Sequence, residues 1–110
     1  MVTSAVKRGS SEIAVLAILA DEKLHGYEIS RRIAEQSEGA LHFSLASLYP
    51  LLYSLEKRGL VKGLWETAPS GRRRRCYSLT SAGKKQLQPL RKEWAQFFLA
   101  LNRVARVSHG

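Results

Sequence analysis

The sequence predicts a mainly α-helical fold that carries one β-hairpin and ends in a long helix. Three observations support this prediction. Two predicted helices are joined by a short connection, an arginine-rich hairpin pattern follows them, and apolar residues then recur at alternating spacings of three and four. With 110 residues, the chain suits one compact domain with one appended element.

The charge balance indicates an anionic partner. The chain has 18 lysines and arginines against 9 aspartates and glutamates, which gives a net charge of +9. Nucleic acid is the first candidate and an anionic membrane surface the second. The 45% apolar content is typical of a globular protein. We expect no secretory signal and no membrane span, because residues 13–20, the longest apolar run, are too few to cross a bilayer, and we therefore expect a cytoplasmic location.

The first predicted helix follows a loose basic arm, residues 1–9, in which Lys7 is a candidate DNA contact. A serine at position 10 or 11 can cap this helix. The helix is then apolar nearly all round, so it needs cover on more than one side. Because a chain of this size has little material for that cover, we expect a partner subunit to supply it and assign Leu16 and Leu19 to a dimer interface.

The second predicted helix spans roughly residues 25–37. Ile29 and Ile33 form a narrow apolar stripe along it, and Gly39 follows as a stop signal. A short strand is predicted over residues 41–43, before the third helix begins.

The third predicted helix begins at Ser44 or Ser47 and ends at Gly59. If it begins at Ser47, Pro50 lies in the first turn and removes no intrahelical hydrogen bond. The apolar side of the helix consists of Leu45, Leu48, Leu52 and Leu55, which recur at helical spacing.

A β-hairpin is predicted next, with strands over residues 60–66 and 73–79 and turn chemistry at residues 68–71. At and just after its tip lie Arg72, Arg73, Arg74 and Arg75. No acidic residue occurs from position 67 to position 92, so basic charge is concentrated in this segment. We interpret the arginines as DNA contacts; a solvated charged face is the alternative.

The last predicted helix is capped by Thr80 and runs to about residue 107, and Pro89 should kink it or end its regular first part. Its apolar residues are spaced like the heptad seam of a coiled coil. We assign these residues to a dimer interface: Leu87, Leu90, Trp94, Phe97, Leu101 and Val104.

This order of elements is that of a winged helix-turn-helix, residues 1–79, followed by a dimerisation helix, residues 80–110. In such folds the second helix of the pair enters the DNA major groove. Here its outer side has no Arg, Asn or Gln, the residues best suited to reading bases, so we expect phosphate contacts and DNA shape to carry much of the binding. On this helix, the candidate DNA contacts are Ser44, Ala46, Ser47, Tyr49, Tyr53 and Lys57. For Tyr49 and Tyr53, ordinary packing remains the alternative.

Four segments together resemble the signature segments of PadR-type transcriptional regulators, in the same order and spacing over roughly residues 11–98. They are HGYEI at 25–29, SLYPLL at 47–52, LEKRGLV at 55–61 and YSLTSAG at 77–83. The chain is similar to the short branch of that family, which has a single C-terminal helix. The resemblance implies a homodimeric repressor of transcription. It also implies a phosphate contact for Tyr49 and a position near the DNA backbone for Tyr27.

Some short members of that family bind flat aromatic molecules between their two long helices, through a tryptophan fourteen residues after the threonine of the Leu-Thr segment. Trp94 stands at that position relative to Thr80. The resemblance therefore implies an effector site at Trp94 that Phe97 and Phe98 can shape. The alternative is that all three aromatic side chains simply fill the dimer seam.

Other classes of function find less support in the sequence. No Ser-His-Asp or Cys-His arrangement suggests an enzyme, and His25, His42 and His109 lack metal spacing, so we expect no cofactor and no metal. Cys76 lies beside Arg75, which could stabilise its thiolate for redox control; an inert strand cysteine is the alternative. The main rival is a basic winged-helix adaptor that binds an acidic protein and has no specific operator. RNA binding is a further rival, but it requires exposed aromatic platforms.

Overall fold

A computed structural model describes the backbone of residues 4–106 and the side chains of residues 9–106. The elements in chain order are α1 (Ser4–Ile18), β1 (Leu24–His25), α2 (Gly26–Gln36), α3 (Leu45–Lys57), β2 (Val61–Thr67), β3 (Arg73–Leu79) and α4 (Ser81–Ala105). The three strands form one antiparallel sheet in the order β1-β3-β2. The mainly helical class, the hairpin and the long last helix are confirmed.

Helix α1 differs from its prediction in two ways. It begins at Ser4, so residues 4–9 are helical rather than a loose arm; the side chain of Lys7 lies outside the described residues. Leu16 and Leu19 are buried within the chain's own core, because α2 and α4 pack against α1 and cover its inner side. The dimer-interface assignment therefore needs correction at both leucines.

The connection between α2 and α3 is a loop, and the strand predicted over residues 41–43 is wrong. Its polar groups are bonded to α2 instead of to a neighbouring strand. The Leu41 amide donates to Ser37 Oγ at 2.9 Å, and Ser30 Oγ donates to the Phe43 carbonyl at 2.8 Å. These bonds place the buried Phe43 ring in the core and hold the start of α3 close to α2.

Helix α3 begins directly after Ser44, whose Oγ accepts a hydrogen bond from the Ser47 amide at 3.2 Å. The cap at Ser44 means that Pro50 lies beyond the first turn, where it leaves one helical carbonyl without its usual donor. Of the four leucines predicted to be apolar contacts, Leu48, Leu52 and Leu55 are buried. Leu45 is 38% exposed, because it stands in the first turn at the edge of the core.

The hairpin agrees with the sequence to within one residue at each strand end. Val61 pairs with Leu79 and Thr67 pairs with Arg73. The turn is closed by the Gly71 amide, which donates to the Ala68 carbonyl at 2.8 Å. The hairpin is thus buried at Val61 and Tyr77, while its tip carries the exposed Arg72, Arg73 and Arg74.

Helix α4 is capped as predicted: Thr80 Oγ1 accepts a hydrogen bond from the Gly83 amide at 3.0 Å. The helix continues through Pro89 to Ala105, so the expectation that the proline ends its regular part is wrong. Leu87 is buried against the core of the same chain, which removes it from the predicted dimer interface. Beyond Leu90, the distal half of α4 (residues 91–105) exposes every side chain except Trp94 and Asn102, which are half-buried.

Candidate nucleic-acid interface

One face of the molecule combines the start of α2, the outer side of α3 and the hairpin. Between α3 and the hairpin lies a groove of about 590 Å³, which we call the wing groove. Its lining consists of His25, Tyr27, Leu45, Tyr49, Trp65, Ala68, Ser70, Arg72, Arg73, Arg74, Arg75 and Tyr77. The structure therefore brings together candidate DNA contacts that are up to 48 positions apart in the sequence, since Tyr27 and Arg75 line the same groove.

The outer side of α3 is open to solvent. All six candidate contacts on it are exposed or half-exposed: Ser44, Ala46, Ser47, Tyr49, Tyr53 and Lys57. Tyr53 is 68% exposed. The hydroxyls of Ser44 and Ser47 bond to each other at 3.1 Å and remain at the surface. Five of the six side chains end in a single hydroxyl or ammonium group, which suits phosphate contacts better than bidentate base recognition.

Tyr49 has a defined position because Gly26 has no side chain. A Cβ atom at Gly26 would lie 2.7 Å from Tyr49 Cε1 and 2.8 Å from its hydroxyl oxygen. His25 caps α2, since its Nδ1 accepts from the Glu28 amide at 3.4 Å. Tyr27 follows on the open side and is 61% exposed. His25 and Gly26 therefore shape the turn before α2, while the exposed Tyr27 can contact a ligand.

The four hairpin arginines do not share one environment. Arg72, Arg73 and Arg74 are exposed at the tip, as the sequence predicts for a phosphate-binding segment. Arg75 is half-buried, and its Nη2 lies 2.5 Å from Oε2 of Glu56 on α3. The guanidinium of Arg73 lies 5.4 Å from the centre of the Trp65 ring.

Sequence reasoning missed two residues of this face, Trp65 and Glu56. Trp65 is 57% exposed and pairs with Arg75 across the hairpin. The strand register could have located it, because directly paired residues point to the same side of a sheet. Glu56 carries no such signal, since its meeting with Arg75 depends on how the hairpin folds back on α3.

The opposite side of the hairpin holds an exposed ion pair and the only cysteine. Lys23 and Glu66 bond to each other, which lowers the pKa of the Glu66 carboxyl and raises the pKa of Lys23. Burial raises the pKa of the Cys76 thiol, and this effect outweighs the opposing charge of Arg74. The alternative of an inert strand cysteine is therefore favoured over redox control, because desolvation favours the neutral thiol.

On α4, the three aromatic residues of the predicted effector site touch one another. The Trp94 ring centre lies 5.8 Å from that of Phe97 and 5.6 Å from that of Phe98. Trp94 also packs on α1 of its own chain, since a Cβ atom at Gly9 would lie 3.2 Å from Trp94 Cζ2. Phe97 and Phe98 are about half exposed, so the cluster has one side against α1 and one side open.

Two further findings concern the described residues alone. None of their helices combines the length and apolar character that crossing a bilayer requires. Within the same part of the chain, no three His, Cys, Asp or Glu side chains come together as metal ligands.

Comparison with known proteins agrees with this arrangement. Residues 15–89 match the family model of the transcriptional regulator PadR-like family. An uncharacterized protein from Lysinibacillus sphaericus is 32% identical over 96 residues, which cover 87% of this chain and 88% of that protein.

Two solved structures are similar over nearly the whole chain. A transcriptional regulator from Clostridium thermocellum is 27% identical, with a TM-score of 0.83 over 94% of this chain and 97% of that one. A PadR-like transcriptional regulator from Bacillus cereus is also 27% identical, with a TM-score of 0.79 over 96% of this chain and all of that one. The chain therefore belongs to the PadR-like family, whose members are DNA-binding transcriptional regulators and not enzymes.

Proposed function

We propose that this regulator is a repressor that binds a pseudo-palindromic operator as a homodimer. Two copies of α3 would enter successive major grooves about 34 Å apart, and each hairpin would act as a wing beside its helix. The observation that carries the proposal is the wing groove, where the exposed outer side of α3 faces the arginines of the hairpin. Because its target is chromosomal DNA, we place its activity in the cytoplasm.

The proposed DNA contacts fall into two groups. The outer side of α3, with Tyr27 beside it, would fix the register of the helix through phosphate contacts and close packing in the groove. The exposed tip arginines, Arg72, Arg73 and Arg74, would follow the phosphate backbone or enter a narrow minor groove, where the negative potential is strongest. Lys7 remains a predicted contact from the sequence alone.

The proposed dimer uses Leu90 and the distal half of α4, and it leaves residues 1–79 as the DNA-binding part. The seam consists of the half-buried Leu90 and Trp94 and the exposed Phe97, Leu101 and Val104. Its spacing is that of a coiled coil, and apolar side chains in such a row are stabilised by a second copy of the same surface. Residues 80–110 would thus be the dimerisation helix.

We also propose that a small, flat aromatic effector relieves repression by binding at Trp94, Phe97 and Phe98. The support is the contact among their three rings and the open side of that cluster. An aromatic ligand can stack on an indole face or meet a phenyl edge. A Trp94→Ala variant that sedimentation shows to be a folded dimer should then lose the response to the effector.

The decisive experiment selects bound sites from random duplex DNA with the purified protein and then footprints the strongest site. We expect two half-sites related by a two-fold axis. Protection of a single half-site by a monomer would contradict the proposal.

Salt dependence separates DNA binding from the rival function of an adaptor for an acidic protein. The logarithm of the operator association constant should fall linearly with the logarithm of salt, with a slope of about −0.9 for each phosphate neutralised. Replacing Arg72, Arg73 and Arg74 by alanine should weaken binding to all DNA sequences alike and flatten this slope. Replacing Arg91, Lys92 and Arg103 by alanine, at exposed positions on the distal half of α4, is the matched control for losing three positive charges and should leave the slope unchanged.

A further inference from the structure

We infer that Arg75 is a positioning residue that holds the hairpin against α3, and that it does not bind a phosphate. The inference rests on the proposed function, because it divides the hairpin arginines by their roles in DNA binding. Three independent features of the structure point to it: an ion pair, a pair of aromatic rings and a glycine.

The ion pair already satisfies the charge of Arg75. Its Nη2 lies 2.5 Å from Oε2 of Glu56, and both side chains are only about a third exposed. If Arg75 turned to a phosphate, the Glu56 carboxylate would be left unpaired beside the DNA backbone. Like charges facing each other across an interface are costly, so DNA binding favours keeping the pair intact.

Two aromatic rings flank the same guanidinium. Arg75 Cζ lies 5.7 Å from the centre of the Trp65 ring and 6.0 Å from that of Tyr77. Planar guanidinium groups stack well on such faces and keep their hydrogen-bonding edge free for a carboxylate. Through one side chain, Arg75 therefore joins α3, β2 and β3; we call Arg75, Glu56, Trp65 and Tyr77 the Arg75 cluster.

Gly63 provides the space in which Arg75 lies. It pairs with Tyr77 in the hairpin, and a Cβ atom there would lie 2.7 Å from Arg75 Nε and 2.9 Å from Arg75 Cζ. Any other residue at this position would push the guanidinium away from its present place. The absence of a side chain at Gly63 is thus matched to the position of Arg75.

The Arg75 cluster stands where it can set the shape of the DNA-binding face. It borders the wing groove on one side and, on the other, a hollow of about 620 Å³ lined by α3 and hairpin residues that include Tyr53 and Lys57. Its geometry fixes how far the hairpin lies from α3. A hairpin of defined orientation then places the exposed tip arginines, Arg72 and Arg74, beside the DNA backbone.

The sharpest test is Gly63→Ala, which changes no charge. The new methyl group should displace the Arg75 side chain, whose far end can move without disturbing the backbone. We expect operator affinity to fall several-fold, with the salt slope unchanged and the protein still folded by circular dichroism. Unchanged or increased affinity would overturn the inference.

Glu56→Gln should change operator affinity in opposite directions for the two possible roles of Arg75. If Arg75 binds phosphate, removing the carboxylate that competes for its guanidinium should raise the affinity for DNA. If Arg75 positions the hairpin, affinity falls several-fold even though a negative charge has been removed, and the slope stays the same. Arg75→Lys, which keeps the charge but loses the planar fork, should behave like Gly63→Ala.

A measurement on the free protein separates this inference from the proposed function. Glu56→Gln should speed amide hydrogen exchange across β2 and β3, while the charge-matched control Glu93→Gln, at an exposed position on the distal half of α4, should not. Unchanged exchange in Glu56→Gln overturns the inference whether or not the protein binds an operator. Faster exchange in a protein that binds no operator would support the positioning role and reject the proposed function.

Discussion

The winged part of the chain, which we define as residues 4–90, buries most of its large apolar side chains, whereas the distal half of α4 exposes them. From α1 to Leu90, most of the large aliphatic side chains pack on one another; Leu48, Leu52 and Leu55 are at most 1% exposed. Along the distal half of α4, Phe97 is 50% exposed and Val104 is 86% exposed. The winged part can therefore be stable through its own contacts, while the distal helix presents a surface that gains from a second apolar surface.

The contrast also shows what heptad spacing can and cannot indicate. Leu87 and Leu101 belong to the same predicted seam, yet Leu87 is 2% exposed and Leu101 is 43% exposed. The period of a helix shows which side of it is apolar, but not what covers that side. Here the cover changes along α4, from the core of the same chain to open solvent.

The largest expected effect is that of truncating the core of the winged part. Leu52→Ala should lower the free energy of unfolding by about 2–5 kcal/mol, because it removes a fully buried side chain and leaves a cavity. Urea unfolding at a low protein concentration measures this loss. Leu99→Ala, at an exposed position of α4 outside the seam, is the control and should change the value by less than about 0.5 kcal/mol. Equal losses of unfolding free energy in the two variants would contradict the difference between the winged part and the distal half of α4.

The second prediction concerns the oligomeric state. Leu101→Glu should shift the protein from dimer to monomer, because it would place a carboxylate in the apolar seam of each copy, while the winged part keeps its fold. Sedimentation velocity measures the state, and circular dichroism measures the fold.

Leu99→Glu is the matched control for that experiment. Leu99 is 57% exposed on the same half of α4, but it lies outside the heptad spacing of the seam. The Leu99→Glu substitution should leave the dimer intact. If both variants dissociate equally, the seam is not the interface; if neither does, the dimer forms elsewhere or does not form.

Features set by neighbouring residues could be predicted from the sequence. The hairpin strands follow from turn chemistry, and the caps of α3 and α4 follow from Ser44 and Thr80, whose hydroxyls accept bonds from amides three residues ahead. The exposed arginines at the tip follow from their place next to a turn. In each case the cause lies within a few residues of the effect.

Features set by distant contacts could not be predicted in the same way. The two-residue strand β1 exists because Leu24 pairs with Tyr77, and the burial of Leu16 depends on elements elsewhere in the chain. The division among the arginines is of this kind as well, since Glu56 becomes a partner of Arg75 only once the hairpin lies against α3. The sequence pattern locates the arginines in the hairpin, but only the tertiary fold shows which of them is paired with a carboxylate.

The smallest effect comes from two titratable groups that the winged part buries in β3. Burial raises the pKa of Cys76 above its ordinary value of 9.0 and that of Tyr77 above 10.0. Lys23, Glu66 and Arg74 surround the thiol, while Arg75, Glu56 and Tyr49 surround the phenol.

Because the fold favours the neutral forms, their contribution to stability is complete below about pH 9 and is lost as the pH rises through the raised values. Urea unfolding at pH 7 and at pH 10 should therefore show a lower midpoint at the higher pH, and Cys76→Ala should reduce that difference slightly. The same burial predicts slow alkylation of Cys76 by iodoacetamide at pH 8 in the native protein and fast alkylation in urea. Rapid alkylation of the native protein would mean that β3 opens to solvent. The contacts within the winged part would then stabilise it less than its buried core indicates.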